Sequence, residues 1–531
     1  MPKTVSPAEV KAMLSDGEEL ALLDVREQGR FFLDGHLFFA SSLPLSALEL
    51  RIADMVPRLD TRIVLCDGGE GLAGRAAARL GELGYKGARV LAGGSAGWRD
   101  AGYEVFTGFN VPSKAFGEFV EVQYHTPSVS AEELQEMMDK GEPLVVLDSR
   151  PMDEFRKMSI PTGIDVPGAE LAYRVSMLAP APDTTVVVNC AGRTRSIIGA
   201  QSLINAGIPN KVVALRNGTM GWHLAGLELE HGANRAATEP TEACLAEALA
   251  IKSRVEVRFG VREIDMATLE QWRRDDTGTV YVLDVRHPEE FEAGHLAGSR
   301  SAPGGQLVQA TDVYIGTRNA RVVLVDDNGV RATMTASWLI QMGWEQVRVL
   351  KDGLAGVLEE GPHVPHVPGL DAVHAEEISP EELSSSLEDA STAVLDLGYS
   401  RDYLQGHLPG AWFAIRSQLA ETFSQLPPAD TVVLTSLDGL AARLAAPEVA
   451  ALTEGAVKVL SGGTRAWQTA GLPMTEGVEN ALAGLDDDAL LKPYDHDKGV
   501  EDAMRLYLSW EINLVAQVKR DGDARFKHFP A

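Results

Sequence analysis

The chain has 531 residues, too many for one hydrophobic core, and its 48 Lys and Arg stand against 76 Asp and Glu for a net charge of −28. That excess of negative charge repels nucleic acid and anionic membrane surfaces, so neither partner is expected. The three cysteines, Cys66, Cys190 and Cys244, lack metal-ligand spacing, which argues against a disulfide framework and a zinc site.

Taken in chain order, one unit recurs four times. Helix-start signals open the copies, as in Ser6-Pro7-Ala8-Glu9, Ser130-Ala131-Glu132-Glu133 and Ser379-Pro380-Glu381-Glu382. A strand ending in Leu-Asp follows, with its aspartate at Asp24, Asp148, Asp284 and Asp396. Three copies then carry Gly-His-Leu, at Gly35-His36-Leu37, Gly294-His295-Leu296 and Gly406-His407-Leu408, where the second has Met158-Ser159-Ile160. A second strand, a loop, a helix and a short strand lead to a closing Gly-x-x-x-Trp-x-x-x-Gly, with Trp98, Trp222 and Trp467 in three copies and Val357 in the third. These tryptophans recur whatever the loop contains, so they read as core plugs.

Strands alternating with helices in units of this size predict an α/β fold: four tandem domains, each a mainly parallel sheet flanked by helices. The expected domains are 1–112, 122–234, 259–366 and 372–480, with 235–258 as a linker. Residues 481–531 break the repeat and form a C-terminal helical tail. Met504, Leu506, Leu508, Ile512, Leu514 and Val515 give the tail a helical pattern suited to capping a domain or to pairing two copies in a homodimer. No stretch approaches ~20 uninterrupted apolar residues and the first residues have no apolar signal region, so a cytoplasmic location is expected.

The most informative stretch is Val186-Val187-Val188-Asn189-Cys190-Ala191-Gly192-Arg193-Thr194-Arg195-Ser196, which reads as strand, tight loop and helix. In such a turn the backbone N–H groups of Ala191, Gly192, Arg193, Thr194, Arg195 and Ser196 converge on whatever the Cys190 sulfur carries, and the helix end adds partial positive charge. Arg193 and Arg195 add full charges. A buried inert thiol has no use for two arginines, whereas a nucleophilic thiolate does.

The sibling loops differ. Aligning the helices that follow puts Asp326 in the Cys190 position of the third copy, with Arg331 matching Arg195, and Ser436 in that of the fourth, with no matching arginine. In the first copy the count leaves either Cys66 or Asp67 in the slot, and the acidic loop Asp67-Gly68-Gly69-Glu70 disfavours a thiolate in either case. Cys244 lies outside any slot and reads as a helix-packing thiol.

The unit resembles a rhodanese domain, on Leu147-Asp148-Ser149-Arg150, Asp284-Val285-Arg286 with Gly294-His295, the Cys190 loop and the Gly-x-x-x-Trp endings. The resemblance covers about nine tenths of the chain and implies a sulfurtransferase in which Cys190 accepts sulfane sulfur as a persulfide. By it, a small anionic donor such as thiosulfate would bind at residues 191–196, and cyanide or a thiol would accept the sulfur, with no metal or organic cofactor. Arg150 matches an arginine that helps hold the donor, although the same Asp-x-Arg in other copies reads equally as an internal ion pair. Two other readings remain: a non-enzymatic repeat scaffold, and a cysteine phosphatase or arsenate reductase of related fold. The latter enzymes place five residues between Cys and Arg, whereas four separate Cys190 from Arg195, a narrower cradle suited to a single sulfur atom.

Overall fold

The structure, a computed structural model, describes residues 2–387, 391–489, 491–496 and 498–530. Each of the four repeats folds around a parallel sheet. In the second, Ser128–Val129, Val212–Leu215, Thr185–Asn189, Leu144–Asp148 and Ile164–Asp165 lie side by side in that order, and the third repeats it from Glu263–Ile264 to Arg300–Ser301. The central strands Val186-Val187-Val188, Val322-Val323-Leu324 and Val432-Val433-Leu434 are buried on both faces, as their unbroken apolar runs require. Ser130 and Ser379 each close a capping box with the glutamate three residues on.

The chain divides into two compact units that do not follow its order. One holds the first and fourth repeats, in residues 1–12, 21–109 and 365–491; the other holds the second and third together with the tail, in residues 13–20, 110–364 and 492–531. In the second unit, Ile197 and Ile198 share a core with Phe116, Leu307, Ala332 and Trp338, so the two repeats and the helix Val111–Tyr124 are packed as one body. That helix occupies the stretch between the first two expected domains. The expected linker 235–258 likewise carries a helix, Glu242–Phe259, which buries Cys244, Ala248, Ile251, Val255 and Phe259. Cys244 is a packing thiol there, its Sγ 3.4 Å from the Tyr173 carbonyl.

The three tryptophans are core plugs. Trp98, Trp222 and Trp467 are each 1% exposed, and each Nε1 donates to the carbonyl six residues on, at Glu104, Glu228 and Pro473. Val357, which replaces them in the third repeat, is exposed. The glycine of the same motif has a separate task. Gly218 has φ +56°, and a Cβ there would lie 2.2 Å from the Cys190 carbonyl; at Gly94 and Gly463 it would meet the carbonyls of Asp67 and Ser436 just as closely. The motif therefore backs the loop that follows the second strand.

Candidate active site at the Cys190 loop

The loop begins one residue past the strand residue that pairs with the Asp of the neighbouring strand. That strand residue is Asn189 opposite Asp148, Cys66 opposite Asp24, Val325 opposite Asp284 and Thr435 opposite Asp396. The slot therefore holds Cys190, Asp67, Asp326 and Ser436, which settles the one-residue ambiguity of the first repeat in favour of Asp67. Cys66 is the last strand residue, wholly buried, with its Sγ on the Leu23 carbonyl; burial and the adjacent Asp24 push its thiol up well above the usual range.

What fills the slot decides what becomes of the loop's N–H groups. Asp67 accepts from the N–H groups of Gly69, Gly71 and Ala73, and Asp326 from those of Gly329 and Ala332 at 2.5 and 3.1 Å. Ser436 Oγ accepts from Ala442 at 3.3 Å. In the second repeat the equivalent atom is the Cys190 sulfur, which donates to Ser196 Oγ at 3.5 Å, and Ser196 Oγ donates on to the Arg193 carbonyl at 2.8 Å. Among the described residues, the N–H groups of Ala191, Gly192 and Arg193 have no acceptor. The helix Thr194–Ala206 begins directly behind them, so the cradle beside Sγ carries unanswered donors and a positive helix end.

The three arginines named from sequence face different ways. Arg195 donates to Glu154 at 2.6 Å and to Gln306 of the third repeat at 3.1 Å. Burial alone would raise the Glu154 carboxyl, but the Arg195 guanidinium overrides it and brings it down to about 2. Arg193 turns away from the sulfur, and its guanidinium grips Glu118 at 2.6 and 2.8 Å and also Glu121, both on the helix Val111–Tyr124. Arg150 is wholly buried and forks onto Asp148 at 2.8 and 2.7 Å. Arg26 on Asp24 and Arg286 on Asp284 make the same fork in repeats whose slot holds no cysteine, so of the two sequence readings the ion pair is the arrangement present.

Sequence reasoning missed the roof of the site. The tail helix Val500–Asp521 buries Met504, Leu508 and Leu514 as expected, but Leu506 and Ile512 are 74% and 51% exposed and the fourth buried position is Glu511. Glu511 Oε1 takes Lys114 Nζ at 3.0 Å and the hydroxyls of Thr194 at 3.1 Å and Tyr507 at 3.3 Å. Gly192 passes beneath this cluster: a Cβ there would lie 3.2 Å from Glu511 Oε2 and 3.4 Å from the Tyr507 ring. Burial, then Glu511 and Cys190, raise the Tyr507 hydroxyl well above its ordinary value. Gly117 similarly lets the helix Val111–Tyr124 approach, because a Cβ would lie 2.9 Å from Thr194 Cγ2. A carboxylate at a core position of an amphipathic helix was the available signal.

Among the described residues, the one cluster of metal-ligand types is Glu170, His287 and Glu290. Arg331 lies across it, 2.9 Å from Glu170 and 2.7 Å from Glu290, so its geometry is that of an ion pair. No helix of the described residues is long and apolar enough to cross a membrane.

With this geometry in hand, comparison with known proteins places the class. The model of the Rhodanese-like domain matches residues 6–101, 130–225, 266–360 and 379–470, more than half of the chain, and the chain belongs to that family. A solved structure described as thiosulfate sulfurtransferase from Pseudomonas aeruginosa is 49% identical, with a TM-score of 0.96, over 99% of this chain and 100% of that one. Curated relatives match single segments. The HTH-type transcriptional regulator Rv0324 of Mycobacterium tuberculosis is 31% identical over 20% of this chain and 46% of its own length, and the uncharacterized protein YqhL of Bacillus subtilis is 36% identical over 14% and 56%. The chain thus spans about half the length of the curated relatives it matches.

Proposed function

We propose that the chain is a thiosulfate sulfurtransferase that carries sulfane sulfur on Cys190. In the first half-reaction the Cys190 thiolate attacks the outer sulfur of thiosulfate. The sulfur–sulfur bond of the donor breaks, its electron pair leaves with sulfite, and a persulfide remains on Sγ. In the second, cyanide or a thiolate attacks the outer sulfur, and the pair of the Sγ–S bond returns to Cys190. The N–H groups of residues 191–196 bind the bound sulfur and the departing anion, and Arg195 at the helix start adds positive charge. Arg193 and Arg150 serve as braces, the first tying the loop to the helix Val111–Tyr124 and the second holding the strand end.

The observation that carries this reading is the slot comparison: of four equivalent loops, two hold a carboxylate that takes up N–H groups of the loop and helix start, a third holds a serine whose Oγ accepts from Ala442, and the Cys190 loop holds a sulfur beside open donors. The repeats at 1–112, 259–366 and 372–480 are accordingly non-catalytic in this reading, and chemistry belongs to 122–234. Support also comes from the thiosulfate sulfurtransferase named above, which aligns over its whole length.

The test is thiocyanate formation from thiosulfate and cyanide by the full chain, with mass spectrometry for a gain of one sulfur atom on Cys190 after thiosulfate alone. Cys190→Ser should abolish both, and Cys66→Ser should leave most of the turnover. Hydrolysis of an aryl phosphate without thiocyanate would transfer the assignment to the phosphatase reading, and absence of both activities and of the persulfide would leave the scaffold reading.

A further inference from the structure

The slot of the fourth repeat opens on a cavity of roughly 180 Å³ in the unit formed with the first repeat. Its origin is visible by comparison with the other unit. There the arginine five residues past the slot, Arg331, bridges Glu290 of its own repeat and Glu170 of the neighbouring one. Glu290 stands six residues past Asp284, and Glu170 five past Asp165, the edge-strand residue paired with Asp148. The same positions in the first unit are Ala441 for the arginine, Asp402 for Glu290 and Ala47 for Glu170. The pairing of repeats is equivalent: the short helices Leu45–Ala47 and Arg416–Gln418 pack together, as Gly168–Glu170 packs with Gly304–Gln309. Ala441, Ala47 and Asp402 all line the cavity, which therefore occupies the volume that an arginine side chain fills in the other unit.

Of the two acids that hold the arginine in the other unit, one has a counterpart here in Asp402, the other is Ala47, and two further carboxyls stand at the cavity. Glu27 and Asp488, each 4% exposed, face the cavity together with Asp402. Glu27 accepts from Ser417 at 2.7 Å and Ser46 at 2.8 Å, and Asp488 from the N–H and hydroxyl of Ser400 at 2.8 and 2.5 Å. Among the described residues none of the three carboxyls has a cationic partner. The arginine in the wall, Arg416, is held by Glu49 and Glu448, and Arg401 pairs with Asp486. Burial raises both inner carboxyls, Glu27 to about 7. Leu50, Leu397 and Ile415 supply an apolar wall, and Tyr399, Ser436 and Asp438 also line the cavity. Arg401 acts on Asp488 from a distance, but buried carboxyls outside any ion pair beside an apolar wall form a site whose missing complement is a cation on a short hydrocarbon stem.

We propose that this cavity binds a small organic cation, a guanidinium or primary ammonium on a short alkyl chain, with its charge among Glu27, Asp402 and Asp488 and its stem beside Ala441 and Ala47. The inference is independent of the assignment of Cys190.

The probe is n-propylguanidine, the side chain of arginine as a free molecule, titrated into the full chain by calorimetry, with n-propylurea as its neutral isostere. Saturable binding of one equivalent is expected for the guanidine, and none for the urea. Ala441→Arg should fill the site from within and Glu27→Gln should remove one of its charges, each weakening binding by at least about tenfold, or ~1.4 kcal/mol. A rise in melting temperature of Ala441→Arg would show that the new guanidinium has found Asp402. No binding by the wild type, equal binding of the urea, or full affinity in both variants would overturn the proposal.

Discussion

Arg195 of the second repeat donates to Gln306 of the third, and Arg331 of the third donates to Glu170 of the second, so the two repeats exchange one arginine each across their interface. Each arginine also holds a glutamate of its own repeat, Glu154 or Glu290. The slot arginine thus has a structural task that survives in a repeat without a cysteine. Removing Arg195 leaves Glu154, 18% exposed, with Lys492 at 3.5 Å as its remaining cation, which should cost about 1–3 kcal/mol. Arg195→Met should therefore lose stability in denaturant unfolding, and Arg195→Met with Glu154→Gln should recover most of it. Because the folded Glu154 carboxyl lies at about 2, below its ordinary 4.5, the stability it contributes is present above 4.5 and is lost as pH falls towards 2. The double variant should show less acid sensitivity than the wild type; equal slopes would remove Glu154 from the account.

The tail gives a second prediction. Glu511 is wholly buried against Lys114, Thr194 and Tyr507, directly over Gly192. A fragment limited to 122–234 lacks both Lys114 and Glu511, and should lose most of its thiocyanate-forming rate relative to the full chain. In the full chain, Glu511→Ala removes the buried carboxylate shared by Lys114, Thr194 and Tyr507 and should cost about 3–5 kcal/mol, whereas Glu511→Gln, which keeps an acceptor for Thr194, should cost clearly less. Equal rates for fragment and full chain would restrict the tail to an ornament of the fold.

Much of this was legible in the sequence because it is periodic. The four repeats and their parallel sheets follow from motifs at fixed spacing, and counting from strand and helix gives Asp326 and Ser436 the same places as the strand register does. Spacing could not show long-range partners. Arg193 looks like a charge for the thiolate until Glu118 and Glu121, some seventy residues earlier, are seen to hold it. The tail pattern marked a helix, but its apolar residues lie on more than one side, and only the burial of Glu511 in place of Ile512 shows which face is inward. The pairing of the first repeat with the fourth is likewise a property of surfaces and has no signature along the chain.

Asp165 predicts a pH dependence of the opposite sign to Glu154. Burial, and then the neighbouring Asp148, push its carboxyl up to about 8 from an ordinary 3.8, and its Oδ1 has no partner among the described residues. The folded state thus holds this proton more tightly than the unfolded chain. Its contribution favours folding most below about 4 and is progressively lost as pH rises to about 8. Asp165→Asn, which mimics the protonated form, should melt at a higher temperature than the wild type at pH 9 and close to it at pH 4. A constant difference between the two proteins across that range would show that Asp165 titrates normally.

The strictest test of the slot comparison is to move the cysteine. Asp326 is wholly buried, takes the N–H groups of Gly329 and Ala332, and sits five residues before Arg331, so Asp326→Cys would free the cradle while keeping the arginine. It would also remove a carboxyl that burial raises to about 6. Ser436→Cys places the same thiol before Ala441, with no arginine behind it. In a Cys190→Ser background, Asp326→Cys should gain one sulfur atom from thiosulfate by mass spectrometry, and Ser436→Cys should gain far less. The third repeat lacks the roof supplied by Lys114 and Glu511, so its turnover to thiocyanate should remain at least about tenfold below that of the wild type, a barrier difference of ~1.4 kcal/mol. Equal labelling of both variants would show that the arginine is dispensable for sulfur loading. Labelling of neither would mean that an open cradle beside a thiol is insufficient, and that the elements peculiar to the second repeat take part in the first half-reaction.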